Sequence, residues 1–445
     1  MVKRPIRQLS VLLRTNVQKE AYRLGIIDPV IAIIISFCIL GTMLYKRVNL
    51  GLTLNATALI LALLALSWQD IPALIYTTTV GPITLAVTLA TFIIMLLSQL
   101  YKETGYINRL SESLSNIIEN PKIVLCMLPA VIGFLPVAGG ALMSAPLVDG
   151  EAEKLGLSTE KKTYINLWFR HTVFPVYPLS QVLILTAALA ATTVPAIILR
   201  QVPVVMVMIV VGYLVGFWKV KRPEIAEEPK KECGINADLR TFLVAFSPIL
   251  ASIVVAVALS IIGVPLEGII GLNPSQLGFD ILVAACVGLV VLIAISRMNW
   301  SLFLKPLKSW GIYGITLSAY GAFVLGSVIR ATGISAIFEA LVTSGTVDAV
   351  LLLTIVPAVL GVLTASALGG VSIGLPILGG LIALNSKTAS LIYMSAYLGY
   401  VISPTHLCFA FTAEYFKCPF GKAYKYAIPS FIATFVAALL VYFLV

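Results

Sequence analysis

Eight apolar runs dominate the chain, near 29–45, 50–68, 80–100, 195–217, 242–263, 278–296, 309–329 and 426–445. Each is suited to cross a hydrocarbon layer of about 30 Å. Hydrocarbon offers no water to satisfy backbone amides, so such runs are held to helices. The composition agrees: 59% of the 445 residues are hydrophobic and only 11% are charged. A water-soluble globular fold, with roughly 25% charged residues, is excluded. Two more regions, 163–193 and 389–412, are long enough to span but contain Pro175 and Pro178 in the first and Pro404 in the second. They read as broken helices. Regions 121–147 and 346–381 are apolar at their ends and rich in Gly, Ser, Thr and Pro at their centres. They read as re-entrant hairpins. The expected fold is an all-α integral membrane protein with about ten transmembrane helices plus two such hairpins.

A formal charge of +10 raises the question of a nucleic-acid surface. Position answers it. The loops 46–49, 102–122, 148–162, 218–241, 297–308 and 416–425 carry 20 of the 30 Lys and Arg, whereas the opposite side carries only Arg200, Arg330 and Lys387. Basic residues are enriched in cytoplasmic loops, so this is an orientation signal that puts those loops inside and the C-terminus outside, and no nucleic-acid partner is expected. Residues 1–28 form a basic tail with Lys3, Arg4, Arg7, Arg14, Lys19 and Arg23. The following apolar run has no small-residue cleavage site and reads as a retained span. The six cysteines show neither a CxxC nor a His–Cys cluster at metal-ligand spacing, which indicates no disulfide framework and no zinc site.

The halves repeat at an offset of 228. Pro129-Ala130-Val131-Ile132-Gly133 recurs as Pro357-Ala358-Val359-Leu360-Gly361, and Thr104-Gly105 recurs as Thr332-Gly333. The run 50–68 maps onto 278–296 and 80–100 onto 308–328; with slight slippage Gly139-Gly140 aligns with Gly369-Gly370, Pro146 with Pro376, and Pro178 with Pro404. Repeat 1 is then 29–217, the segment 218–241 is a charged cytoplasmic linker, and repeat 2 is 242–445. An odd number of crossings per copy makes the second copy enter from the opposite face. Inverted repeats with interrupted helices in matching places point to a secondary transporter whose site lies at the repeat interface.

The candidate residues sit at the hairpin tips and helix breaks. The first tip runs from Phe134 to Pro146 through Pro136, Gly139, Gly140 and Ser144; the second runs from Leu363 to Pro376 through Thr364, Ser366, Gly369, Gly370 and Ser372. Unpaired backbone groups and helix N-termini at such tips can hold an anion or coordinate a cation, and a sodium site of carbonyls and hydroxyls there would need no carboxylate. The bland reading is close packing of small residues. The breaks hold both histidines of the chain: Arg170-His171-Thr172 with Pro175, Pro178 and Ser180, and Ser403-Pro404-Thr405-His406. Ionisable groups inside a membrane are functional candidates by default. Arg170 suits an anionic substrate, and His171 or His406 suits substrate binding or proton relay; snorkelling and internal hydrogen bonding are the structural alternatives. Asp280, Asp348 and Glu414 lie at span ends, so none is an obvious central proton carrier.

This pattern resembles the ion transporter superfamily, which includes gluconate permeases, citrate and dicarboxylate symporters and arsenite efflux pumps. In particular it resembles an uncharacterised prokaryotic membrane family, domain of unknown function 401, through Lys46-Arg47-Val48-Asn49-Leu50-Gly51, the Phe134–Pro146 tip, Trp168-Phe169-Arg170-His171, Ser403-Pro404-Thr405-His406-Leu407-Cys408 and Thr412-Ala413-Glu414-Tyr415-Phe416. The resemblance covers residues 29–445. It implies a prokaryotic inner-membrane carrier, a homodimer, that binds its small-molecule solute between two hairpin tips and two unwound helices and moves it as an elevator. Gly139, Gly140, Ser144, Ser180, Ser366, Gly369, Gly370, Ser372 and Thr405 would then lie nearest the solute. No cofactor is implied beyond a coupling ion, H+ or Na+. The Ser-Asn-Thr runs of the sodium-dicarboxylate members are absent from these tips. Alternatives of the same fold are a Na+/H+ or inorganic-anion antiporter. Other classes are a non-transporting scaffold and an intramembrane serine hydrolase, since Gly370-Val371-Ser372-Ile373-Gly374 matches GxSxG with His406 as a base, although no strand precedes it. The expectation is a carrier rather than an enzyme.

Overall fold

Many helix starts among the described residues are marked by short polar caps. Asp28, Asn49, Asn120, Thr193, Asn299, Ser309, Asp348, Ser366 and Asn385 each accept a hydrogen bond from the first turn of a helix. Their side-chain oxygens satisfy amides that have no partner within the helix. A computed structural model describes residues 27–118, 120–134, 140–220, 235–270, 278–333, 348–379 and 381–445. Among them the helices run α1 (Pro29–Tyr45), α2 (Leu50–Ala65), α3 (Ile71–Val80), α4 (Pro82–Glu103), α5 (Tyr106–Ile117), α6 (Pro121–Gly133), α7 (Ala141–Glu153), α8 (Thr159–Arg170), α9 (Gln181–Leu189) and α10 (Val194–Phe217). They continue with α11 (Ile235–Ile270), α12 (Phe279–Ser296), α13 (Trp300–Leu304), α14 (Trp310–Ala331), α15 (Ala349–Thr364), α16 (Ala367–Leu378), α17 (Ser386–Ile402), α18 (Leu407–Tyr415) and α19 (Phe420–Leu444).

Among the described residues seven segments are long and apolar enough to cross a membrane: α4, Thr159–Leu189, α10, Asn236–Ile262 of α11, α12, α14 and α19. The runs expected to span at 29–45 and 50–68 form helices of 17 and 16 residues. At 1.5 Å per residue these reach about 25 Å, short of a full hydrocarbon layer. Three helices fall where the sequence reading placed only connections, among them the short α13 within 297–308. Another is α3. The third is α5, whose Ile107, Leu110 and Leu114 are buried while Asn108, Arg109 and Glu112 face out. It packs on α11 and α6. The tail 1–26, most of the linker (221–234) and residues 135–139 lie outside the described residues.

Two cores result. A small one joins α1, α2 and α3 to α14 and reaches Ile373 of α16; a large one takes in residues from α4 to α12 and from α14 to α19. The α2–α14 contact is close because both helices offer glycine: a Cβ on Gly51 would stand 2.6 Å from Gly314 O. Asn55 Nδ2 locks the pair by donating to Gly51 O at 2.8 Å and Leu317 O at 3.0 Å. Other contacts include α11 on α12, α15 on α17, α12 on α4, α15 on α16, α10 on α19, α6 on α8, α9 on α16 and α7 on α18. Glycine again decides the α15–α17 approach. A Cβ on Gly361 would overlap Ala396 O, and one on Gly399 would overlap Ala358 O.

Candidate functional site

Two breaks in helix, one after α8 and one after α17, lie together in the large core. After α8 the chain turns at His171, makes one short 3-10 turn over Phe174–Val176 started by Pro175, and re-enters helix after Ser180. After α17 it leaves helix at Ser403, passes Pro404 and Thr405, and re-enters at His406, which precedes α18. The two breaks face each other: the His171 and His406 ring centroids are 4.9 Å apart, nearly perpendicular.

His171 is fixed from three directions. Its Nδ1 lies 2.6 Å from Leu167 O. A carbonyl only accepts, so Nδ1 carries the proton and Nε2 is left as an acceptor, 3.3 Å from the Tyr400 hydroxyl. The Tyr397 hydroxyl donates to the His171 carbonyl at 2.5 Å, satisfying a group freed by the break. His406 is 2% exposed, with its ring 3.9 Å from that of Tyr400, and neither nitrogen has a hydrogen-bond partner. Cys408, the second residue of α18, completes the cluster. One ligand atom each from His171, His406 and Cys408 lie within 4.8 Å of one another, all buried. This corrects the reading of scattered cysteines without a His–Cys cluster. His406 and Cys408 stand two residues apart in the sequence, but their partner His171 comes from the opposite half of the chain and only the fold brings it to them.

Arg170 is 1% exposed and is clasped by two glycines. A Cβ on Gly133, at the end of α6, would stand 2.5 Å from Arg170 O; a Cβ on Gly140, at the start of α7, would stand 2.6 Å from Arg170 Cζ. The guanidinium therefore lies against the first turn of α7, where the helix dipole is positive. Two positive sources side by side suit an anion. Asn166, one turn before Arg170, holds the neighbourhood together. Its Oδ1 accepts from Ser144 Oγ at 2.6 Å, and its Nδ2 donates to Ala141 O at 2.8 Å and Thr412 Oγ1 at 3.1 Å, joining α7, α8 and α18.

A second polar group lies at the α15–α16 turn. Ala365 takes a left-handed conformation with φ 49°, and Ser366 caps α16 by accepting from Gly369 N at 3.2 Å. Thr364 Oγ1 donates to Leu360 O at 2.7 Å, and a Cβ on Gly369 would stand 2.6 Å from that hydroxyl. Ser403 Oγ donates to Val362 O at 2.8 Å and lies 3.1 Å from Thr405 Oγ1. Backbone from His406 N to Ser403 O, 3.1 Å, links this group to the histidines.

Of the residues singled out in the sequence, Arg170, His171, His406 and Gly140 therefore come together, and Ser144 joins through Asn166. Thr364, Ser366, Gly369, Ser403 and Thr405 form the second group, with Pro404 and Thr405 exposed. Ser180 is buried beside the break and Ser372 on α16, each with an Oγ that makes no hydrogen bond. No hydrogen bond joins Ser372 Oγ to His406. Gly370 serves packing, its missing Cβ leaving room for Ala396 Cβ. Pro175 and Pro178 lie in the first break; Pro136 and Gly139 lie outside the described residues. Asn166, Tyr397, Tyr400, Cys408 and Thr412 are site residues that the sequence reading missed.

Apolar helices of this length, with polar residues buried at two facing helix breaks, define a multi-pass α-helical membrane protein. A family model described as "Protein of unknown function (DUF401)" matches residues 29–445, and the chain belongs to that family. No curated protein matches the chain.

Proposed function

We propose that the chain is a secondary active transporter for a small anionic organic solute, driven by a proton or sodium gradient. The observation that carries this reading is the burial of Arg170, with His171 and His406, where two interrupted helices meet. A buried guanidinium is costly in a membrane, by about 2.5–3.5 kcal/mol on insertion scales, and one set against a helix N-terminus has a clear use in binding negative charge. Alternating access is supported by reciprocity of packing. The sequence offset exchanges α2 with α12 and α4 with α14, and the contacts α2–α14 and α12–α4 are images under that exchange. So are α6–α8 and α15–α17, and likewise α7–α18 and α16–α9. An inverted repeat with α6–α7 and α15–α16 as re-entrant hairpins, moving as an elevator within a homodimer in a prokaryotic inner membrane, accounts for this pattern.

The test is a thermal-shift screen of the purified protein against organic acids, neutral sugars and amines, with and without sodium. An acid should raise the melting temperature of the natural protein and not of Arg170→Gln. Stabilisation by a sugar or amine and by no acid would sink the anion reading.

A further inference from the structure

His171, His406 and Cys408 are arranged as metal ligands. His171 donates Nδ1–H to Leu167 O at 2.6 Å, which leaves Nε2 unprotonated, 3.3 Å from the Tyr400 hydroxyl; a metal-binding histidine is held in the same way by a backbone carbonyl in its outer shell. His406 is 2% exposed and uses neither ring nitrogen, although buried polar atoms are nearly always paired. Cys408 is buried, and one donor atom from each of the three residues falls within 4.8 Å of the others. Metal bonds of about 2.0–2.3 Å set donor-to-donor distances near 3.5–4 Å. Side-chain rotations of about 1 Å therefore close the site.

The donor set selects the ion. Two imidazoles and a thiolate suit a thiophilic d10 cation such as Cu+ or Zn2+ and disfavour the hard ions that prefer oxygen. Charge then separates these two. Arg170 is the chain neighbour of His171 and is itself buried. A divalent ion would keep one positive charge after pairing with the thiolate, beside a guanidinium in a medium where unbalanced charge is costly. A monovalent ion is neutralised by the thiolate. We propose that His171, His406 and Cys408 bind monovalent copper. Binding forms a copper–sulfur bond as the Cys408 thiol gives up its proton to solvent, with no change of oxidation state. The site does not depend on which solute the chain carries.

The experiment uses the purified full chain in detergent, without any organic acid. Cu+ is titrated in competition with a coloured Cu+ chelator, and Ag+ serves as a redox-inert probe of the same site by thermal shift. The expected result is one Cu+ per chain, weakened by more than about 100-fold in Cys408→Ser and in His406→Gln, and unchanged in Cys126→Ser. Ag+ should raise the melting temperature of the natural protein and not of Cys408→Ser. Failure of the natural protein to take one Cu+ from the chelator overturns the proposal, as does undiminished affinity in folded Cys408→Ser. Because no organic acid is present, either failure leaves the transport reading standing.

Discussion

Asn166 should be the strongest single tie between the two helix breaks, and a double-mutant cycle measures it. The side chain is fully buried and makes three hydrogen bonds to α7 and α18. Polar contacts between membrane helices average about 0.6 kcal/mol each, while an ordinary intramolecular hydrogen bond contributes about 1 kcal/mol. Asn166→Ala should therefore cost about 2–3 kcal/mol, which is roughly 30-fold or more in the unfolding constant. Ser144→Ala should cost less, because it removes one bond and Ser144 Oγ also lies 3.1 Å from Ala141 O. That second acceptor matters for the cycle. When Asn166 is removed, the Ser144 hydroxyl can fall back on Ala141 O, so the Ser144–Asn166 coupling belongs near the low end, about 0.6 kcal/mol, rather than near the 1.7 kcal/mol maximum for such pairs. Thr412 makes no fallback bond of that kind to its own helix among the described hydrogen bonds, so Asn166 with Thr412→Val should couple at least as strongly. The assay is reversible unfolding by SDS in mixed micelles, followed by far-UV circular dichroism. Additive costs within about 0.3 kcal/mol for both pairs would refute the clasp, as would an Asn166→Ala cost below about 0.5 kcal/mol.

Two glycine substitutions separate binding from folding. In Gly140→Ala the new methyl meets only the far end of the Arg170 side chain, which can swing aside; the melting temperature should stay close to the natural value while solute-dependent stabilisation is lost. Retained stabilisation would show that the guanidinium position is not critical. In Gly361→Ala the methyl meets backbone of α17 at Ala396 and lies 3.1 Å from Tyr400 N. That should destabilise by about 1–3 kcal/mol through overpacking, read by the same SDS titration, and an unchanged midpoint would contradict the close approach of α15 and α17.

The parts of this architecture that sequence makes legible are those with a local chemical cause. Pro175, Pro178 and Pro404 lack the amide that continues a helix, and the chain leaves helix around each of them. Arg170, His171 and His406 stand out because ionisable groups are rare in apolar runs. The cluster around them was not legible. Tyr397, Tyr400 and Asn166 are ordinary residues in apolar stretches, and only the fold, which sets the break at His171 against α17 and sets α8 against α18, gives them partners. The amphipathic α5 was lost for a different reason. It lies between charges in a segment too polar to register as a span, and a search for helical periodicity would have found Ile107, Leu110 and Leu114 on one face. The apolar runs at 29–45 and 50–68 do form helices, α1 and α2, but helix length depends on where the caps Asp28 and Asn49 start them and not on the apolar run alone.

The central claim is coupled movement of an anion, and uptake into proteoliposomes tests it most directly. Reconstituted protein should accumulate the radiolabelled acid that stabilised it, above equilibrium, when an inward proton or sodium gradient is imposed, and accumulation should collapse when the gradient is dissipated. Arg170→Gln should reconstitute normally and accumulate nothing. Equal accumulation by Arg170→Gln, or no accumulation by the natural protein under either gradient, would contradict the account.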